Sequence, residues 1–265
     1  MNVRKFYMLF LVLFSALNLC GQTKEAAIAR VSYRFTHYRD TIDISKMTEN
    51  DMILLLGPSL SGFKSRTRMV HDSIMLANMR KMKGGPVGST VPVGVGTQIY
   101  LDHKNKKAHQ MDVLIKNYYY PITYPIIDWT IYPDTMTISG LKCQKARGEW
   151  KGRIYDAWFC PDIPFKAGPW KLNGLPGLII SAVDQKKQVK FEFTGFEKLK
   201  NGTVFIELPK DRIVTTEANY KKMQNAFLDD PISYMKALMP EIKSIVPPNK
   251  YVRKPPINNP LELLN

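Results

Sequence analysis

The chain has 265 residues, 45% of them apolar and 23% charged, with 38 Lys and Arg against 23 Asp and Glu. That balance excludes a disordered or collagen-like chain and is enough to bury a sizeable core. The formal surplus of +15 points to anionic partners, either nucleic acid or an anionic surface.

The first residues decide between these. Met1-Asn2-Val3-Arg4-Lys5 precedes the apolar run Phe6 to Leu19, and Cys20-Gly21-Gln22 follows. A basic start, a short apolar middle and a small residue before a polar segment read as a secretory signal peptide over 1–21. The run falls short of the roughly 20 residues of a spanning helix. Cleavage after Gly21 is favoured. Lipid attachment at Cys20 stays open, although Leu19 stands where such a signal wants a small residue. Removing Arg4 and Lys5 lowers the charge from +15 to +13. An exported chain does not meet nucleic acid, so lipid headgroups and lipopolysaccharide become the anionic surfaces in view. With no internal repeat, the rest reads as a single β-rich domain over 22–246 and an extended, proline-rich basic tail over 247–265.

Ala29 to Tyr38 alternates apolar and polar residues and predicts a strand, and Met52 to Leu56 predicts a second that stops at Gly57-Pro58. The following Ser59-Leu60-Ser61-Gly62-Phe63-Lys64-Ser65 resembles a phosphate-binding loop, but Phe63 separates the glycine from the lysine. Met69 to Met82 predicts a helix whose methionines read as core rather than as a copper site, since His71 is the only histidine beside them. Lys83 to Gly96 is a glycine- and proline-rich loop. Thr97 to Leu101 and His109 to Leu114 predict strands across a Lys104-Asn105-Lys106-Lys107 turn. His103 and His109, with Asp102 and Asp112, are solvated turn residues rather than metal ligands in such a lysine-rich tip.

Tyr118, Tyr119, Tyr120, Tyr124, Trp129 and Tyr132 form an aromatic belt that suits either sheet packing or a sugar or apolar ligand. Ile126 to Ile131 and Thr135 to Ile138 predict consecutive strands. Leu141 to Cys160 predicts a hairpin turning at Lys151-Gly152. That register sets Trp150 opposite Arg153, Arg147 opposite Asp156, Lys145 opposite Trp158 and Cys143 opposite Cys160. It implies two cation–aromatic contacts, an ion pair and a Cys143–Cys160 disulfide, as an even cysteine pair in an exported chain suggests. Gly168 to Ile180 is a constrained corner. Pro176-Gly177 predicts a type II turn feeding Leu178 to Val183, a strand buried on both faces. Val189 to Phe193 alternates, and Asn201-Gly202 predicts a type I′ return through Val204 to Leu208. Thr216 caps a helix with Tyr220, Met223 and Phe227 on one face, and Asp230-Pro231 opens another.

Cys143, Lys145-Ala146, Gly152-Arg153, Ala157-Trp158, Ile163-Pro164, Gly168-Pro169-Trp170, Gly174-Leu175-Pro176-Gly177-Leu178-Ile179 and Asp184 together resemble the GLPGLI family of Bacteroidetes bacteria. Tyr33 to Asp40 and Asn259-Pro260-Leu261-Glu262-Leu263 extend the likeness over nearly all the mature chain. The resemblance implies an exported protein rich in antiparallel β structure. It carries no assigned catalytic residue.

Strand runs outnumber helical ones, and the helices fall near 69–82 and 216–239. The expected fold is mainly β with some α: a curved antiparallel sheet, half-barrel or barrel-like, with two or three packed helices. No G-x-S-x-G or H-E-x-x-H pattern occurs, and His71-Asp72-Ser73 are too close in sequence to converge. Asp156, Asp162 and Asp184 are the carboxylates that could serve a hydrolase, although ion pairing with Arg147 and Arg153 accounts for them better. The expectation is a non-enzymatic periplasmic or outer-membrane-associated protein without metal or cofactor. It binds a lipid or other apolar or amphipathic ligand, or docks on an envelope partner such as an outer-membrane transporter. Trp170, Leu175 and Leu178, with Trp158 and Tyr155, are the expected contact residues, and Gly174, Pro176 and Gly177 the structural turn. An envelope hydrolase is the alternative.

Overall fold

The computed structural model describes residues 24–43, 45, 47–81, 91–238 and 258–264. The expected signal peptide over 1–21, most of the 83–96 loop and the part of the expected tail over 247–257 lie outside them. The strands are β1 (Glu25–Ala26), β2 (Ala29–Tyr38), β3 (Met47–Leu56), β4 (Leu60–Ser65), β5 (Gln98–Asp102), β6 (Lys107–Val113) and β7 (Asn117–Ile122). They continue with β8 (Thr130–Ile138), β9 (Leu141–Trp150), β10 (Arg153–Cys160), β11 (Leu178–Asp184), β12 (Val189–Lys198), β13 (Phe205–Ile206) and β14 (Arg212–Val214). Among the described residues three helices are interspersed: α1 (Arg66–Lys81), α2 (Glu217–Asp229) and α3 (Pro231–Leu238). Twelve strands form one sheet in the order β14-β7-β6-β5-β4-β3-β2-β12-β11-β10-β9-β8, and β1 pairs with β13 apart from it. The sheet is mainly antiparallel and open, with only the short β14 parallel to its neighbour.

Two meanders meet where β2 pairs with β12 from Ala29–Lys198 to His37–Val189. The sheet is strongly curled. β6 and β10 stand seven places apart in its order, which would separate them by roughly 34 Å in a flat sheet. Yet Phe63, Ile99, Leu101 and Ala108 share one core with Cys143, Ala146, Tyr155 and Ala157. Curling lets one inner face bury itself without a second sheet. A half-barrel results.

The central hairpin has the expected register, with Trp150↔Arg153, Arg147↔Asp156 and Lys145↔Trp158. Lys151 (φ 49°) and Gly152 (φ 80°) are both left-handed, as a type I′ turn requires. Opposition did not fix the side chains, however. Arg147 pairs with Asp156 at 2.8 Å, but Lys145 lies over Tyr132 and Arg153 turns inward. The expected Cys143–Cys160 disulfide is a correction: both are buried free thiols. The ladder closes at Gln144↔Phe159, and Cys160 pairs instead with Leu178. Opposed strand residues stand farther apart at Cβ than a disulfide wants. Burial, then the neighbouring Cys160, pushes the Cys143 thiol up to about 11.

Several other expectations change. The Leu175–Pro176–Gly177 corner is a three-residue turn closed by Gly177 N–H to Leu175 O at 2.8 Å, not a type II turn. Gly177 is needed for close approach, since a Cβ there would lie 2.3 Å from the Cys160 carbonyl oxygen. At Asn201-Gly202 only Gly202 is left-handed, so the turn is not type I′, and the short β13 pairs with β1 instead of β12. Thr130–Ile138 is one strand with a register shift between Ile131 and Thr135, spanning Pro133. Proline is tolerated there because β8 is an edge. The methionine stripe is not core: no described side chain of α1 is buried, and Met69 is 43% exposed. Apolar residues at 69, 70, 74, 75 and 76 are spread around the helix and give it no single apolar stripe.

Thr216 does cap α2, accepting from Asn219 N–H at 3.2 Å. The helix is positioned by Tyr220, which stacks on Tyr120 and packs against Tyr118.

Candidate functional site

The hollow of the half-barrel holds two cavities of about 680 Å³ each. Both are lined by Thr97, Asp112, Tyr220, Gln224, Pro260 and Leu261, so they meet at these residues. One extends past Phe35 on β2, Asn50 on β3 and Arg39 just after β2, and the other past Tyr120, Lys151, Trp170 and Lys171. A groove of mixed aromatic and polar lining results, walled by α2 on one side and by the C-terminal segment on another.

Asp112 sits where the cavities meet. Alternation on β6 puts Ala108, Gln110 and Asp112 on the inner face, and Asp112 is only 7% exposed. Its Oδ1 accepts from Thr97 Oγ1 at 2.5 Å, and its Oδ2 accepts from Gln110 Nε2 at 2.8 Å and Tyr120 Oη at 2.5 Å. Burial first, and then the Asp112 charge, hold the Tyr120 hydroxyl well above its ordinary range, so it stays a donor. Burial and Asp112 do the same to Tyr220. All three donors to the carboxylate are neutral, and no cation among the described residues pairs with it.

The C-terminal segment is held by a different buried charge. Arg153 (2% exposed) pairs with Asp184 (3% exposed) at 2.9 Å. It also donates to Asn259 Oδ1 at 2.5 Å, Pro260 O at 2.6 Å and Leu261 O at 3.0 Å. His37 Nε2 donates to Asn259 O at 2.8 Å, and Glu262 accepts from Lys171 at 2.7 Å and Trp150 at 3.0 Å. Asp184 further accepts from the N–H groups of Gln188 and Val189, which closes the turn between β11 and β12. Burial lowers the His37 imidazole to about 4, helped by Arg153 and Arg39 and opposed by the Asn259 carbonyl and Asp184.

A third network ties the glycine-rich corner to the sheet. Asn173 Nδ2 donates to Pro125 O and Lys171 O, so its Oδ1 accepts from Tyr124. Tyr124 then accepts Nδ1–H of His103 at 2.9 Å, which leaves Nε2 to accept from Ser61 at 2.8 Å. His103 is thus a bridging group with both nitrogens used, not a solvated turn residue. His109 stacks on Tyr119 and faces Tyr100 across the hairpin, apart from His103. Among the described residues no group of three or more His, Cys, Asp or Glu is arranged to hold a metal.

Of the expected contact residues, Trp170 lines the groove beside Lys171. Leu175, Leu178 and Tyr155 are at most 1% exposed and pack in the core, so they do not face a ligand. Trp158 is half-buried, on the face of β10 opposite to Arg153 and Tyr155. Gly174 (φ 99°), Pro176 and Gly177 shape the corner. The three carboxylates share no cleft: Asp156 pairs with Arg147, Asp162 is exposed, and Asp184 is sealed against Arg153. Asp112 and Tyr220 were visible in sequence only as a hairpin acid and a helix-face aromatic. Nothing local signals that they meet.

A family model described as a protein of unknown function (Porph_ging) matches residues 148–181, the span from the central hairpin through the glycine-rich corner. No curated protein matches the chain. Two solved structures of PNGF-II, in different space groups, are similar at a TM-score of 0.49, with 14% and 16% identity. They cover 75% and 73% of this chain and 32% of their own in each case, so this chain spans about a third of their length.

Proposed function

We propose that this is an exported envelope protein of the GLPGLI type that binds an amphipathic ligand in the groove of its half-barrel without transforming it. The Arg4-Lys5 start and its apolar run support export, and the match over 148–181 overlaps the central part of the family resemblance, from Gly152-Arg153 to Ile179. One observation carries the binding role: the inner face of the sheet stays open at two joined cavities instead of closing on itself. Preformed concave sites with a few placed polar groups are the usual form of ligand pockets. The lining suits an amphipathic ligand rather than a wholly apolar one, because Asp112, Gln224, Lys151 and Lys171 stand among Trp170, Tyr120 and Tyr220. The hydrolase alternative loses its basis with the separation of Asp156, Asp162 and Asp184.

Native mass spectrometry of protein purified from its own envelope fraction tests this reading. A retained small molecule is expected, and Gln224→Trp, which fills the groove from α2 without touching the core, should release it. Recovery of ligand-free protein with no reproducible partner, or a ligand indifferent to the filled groove, would remove the reading.

A further inference from the structure

Asp112 is a buried carboxylate at the meeting point of two cavities, in a chain with 38 basic residues, yet no described cation pairs with it. An ionised carboxylate offers about four acceptor positions. Here three are taken by the hydroxyls of Thr97 and Tyr120 and the amide of Gln110, none of which neutralises the charge. Buried charges are ordinarily paired or bound to a counter-ion. Of the other cations that line the cavities, Lys171 pairs with Glu262 at 2.7 Å and Lys221 with Glu217 at 3.1 Å, and Arg39 and Lys151 form no ion pair with Asp112. Tyr220, 6% exposed, lines both cavities and Tyr120 one of them, and their rings stack at 5.3 Å. Aromatic faces beside a carboxylate favour an organic cation over a hydrated metal ion.

We propose that Asp112 is the counter-ion for a primary ammonium group of the ligand, with Tyr120 and Tyr220 packing on the carbon chain that bears it. The proposal rests on the groove being the binding site and names the chemical class it takes: an amine-bearing amphipathic molecule. Asp112 fixes the charged end, and the apolar body runs along Tyr220 and Pro260 or toward Trp170.

The test is calorimetry on the full mature chain with hexylamine at neutral pH, beside hexanol and hexanoate of equal chain length. Hexylamine should bind and the other two should not. Asp112→Asn, which keeps the shape but removes the charge, should weaken hexylamine by about tenfold to a hundredfold. Gln224→Lys, from α2 at the same junction, should supply the missing ammonium, block hexylamine and raise the melting temperature. It keeps the proposal testable if Asp112→Asn does not fold. Equal affinity in wild type and Asp112→Asn, or a Gln224→Lys variant that neither blocks nor stabilises, would overturn it. So would hexanol or hexanoate binding in place of hexylamine, a result that leaves the groove intact as a site. Binding of none of the three also overturns it, whereas a ligand retained from the envelope would still report on the groove alone.

Discussion

Arg153 and Asp112 are both buried charges on the inner face of the sheet, and they are treated in opposite ways. Arg153 has a carboxylate at 2.9 Å and three carbonyl-type oxygens within 3.0 Å, and it lines neither of the two cavities. Asp112 has only neutral donors and faces open space on two sides. The first arrangement satisfies the charge within the chain and converts it into cross-linking of β10, β11 and the C-terminal segment. The second leaves a charge satisfied in geometry but not in sign. A buried group of that kind gains most from a ligand that brings the opposite charge.

Breaking the paired charge should give the largest effect. Arg153→Met strands Asp184 without its cation and leaves the oxygens of Asn259, Pro260 and Leu261 without their donor. Removing one partner of a buried pair costs about 3–5 kcal/mol. A denaturant titration should show that loss. Trp150, whose indole donates to Glu262, should red-shift as the segment releases. A loss below about 1 kcal/mol would mean that Arg153 does not organise this end of the molecule.

Acidification should act on the same end more gently. His37 is held neutral in the fold, lowered to about 4 by burial, while in the unfolded chain it titrates near its ordinary value. Its contribution is therefore whole above about pH 6.5 and is lost as pH falls toward about 4. The integrated difference is about 2 kcal/mol at pH 5. Stability measured from pH 7 to 4 should show this slope, and His37→Gln, which keeps a donor for the Asn259 carbonyl, should flatten it. A slope unchanged in the variant would assign the acid sensitivity elsewhere.

The smallest change is expected at the unpaired charge. Asp112→Asn should alter stability by about 1 kcal/mol or less, because Thr97 can reverse its hydroxyl to accept from the new amide while Tyr120 and Gln110 keep their acceptor. Asp184→Asn should cost more, since there the removed charge faces Arg153. If the two substitutions cost the same, the contrast between the structural and the ligand-facing charge fails.

What the sequence determined by itself is local. The Lys151-Gly152 turn and its register, the Thr216 cap, the strand over Ala29–Tyr38 and the rigidity of the corner at Gly177 each rest on residues that meet within one turn or one hairpin. Backbone preference and period-two alternation suffice for those, and the same alternation made a mainly β, curved sheet legible. Alternation does not say which face becomes a cavity, and opposition across a hairpin does not say where a long side chain turns. Lys145 went to Tyr132 and not to Trp158, and Arg153 left Trp150 for Asp184. Only the tertiary structure joined Arg153 to Asn259, 106 residues away, and set Tyr220 of a late helix against the inner face of β6 and β7. Those contacts exist because the sheet curls until strands far apart in its order share one core. The curl is a property of the whole sheet and is written in no single segment.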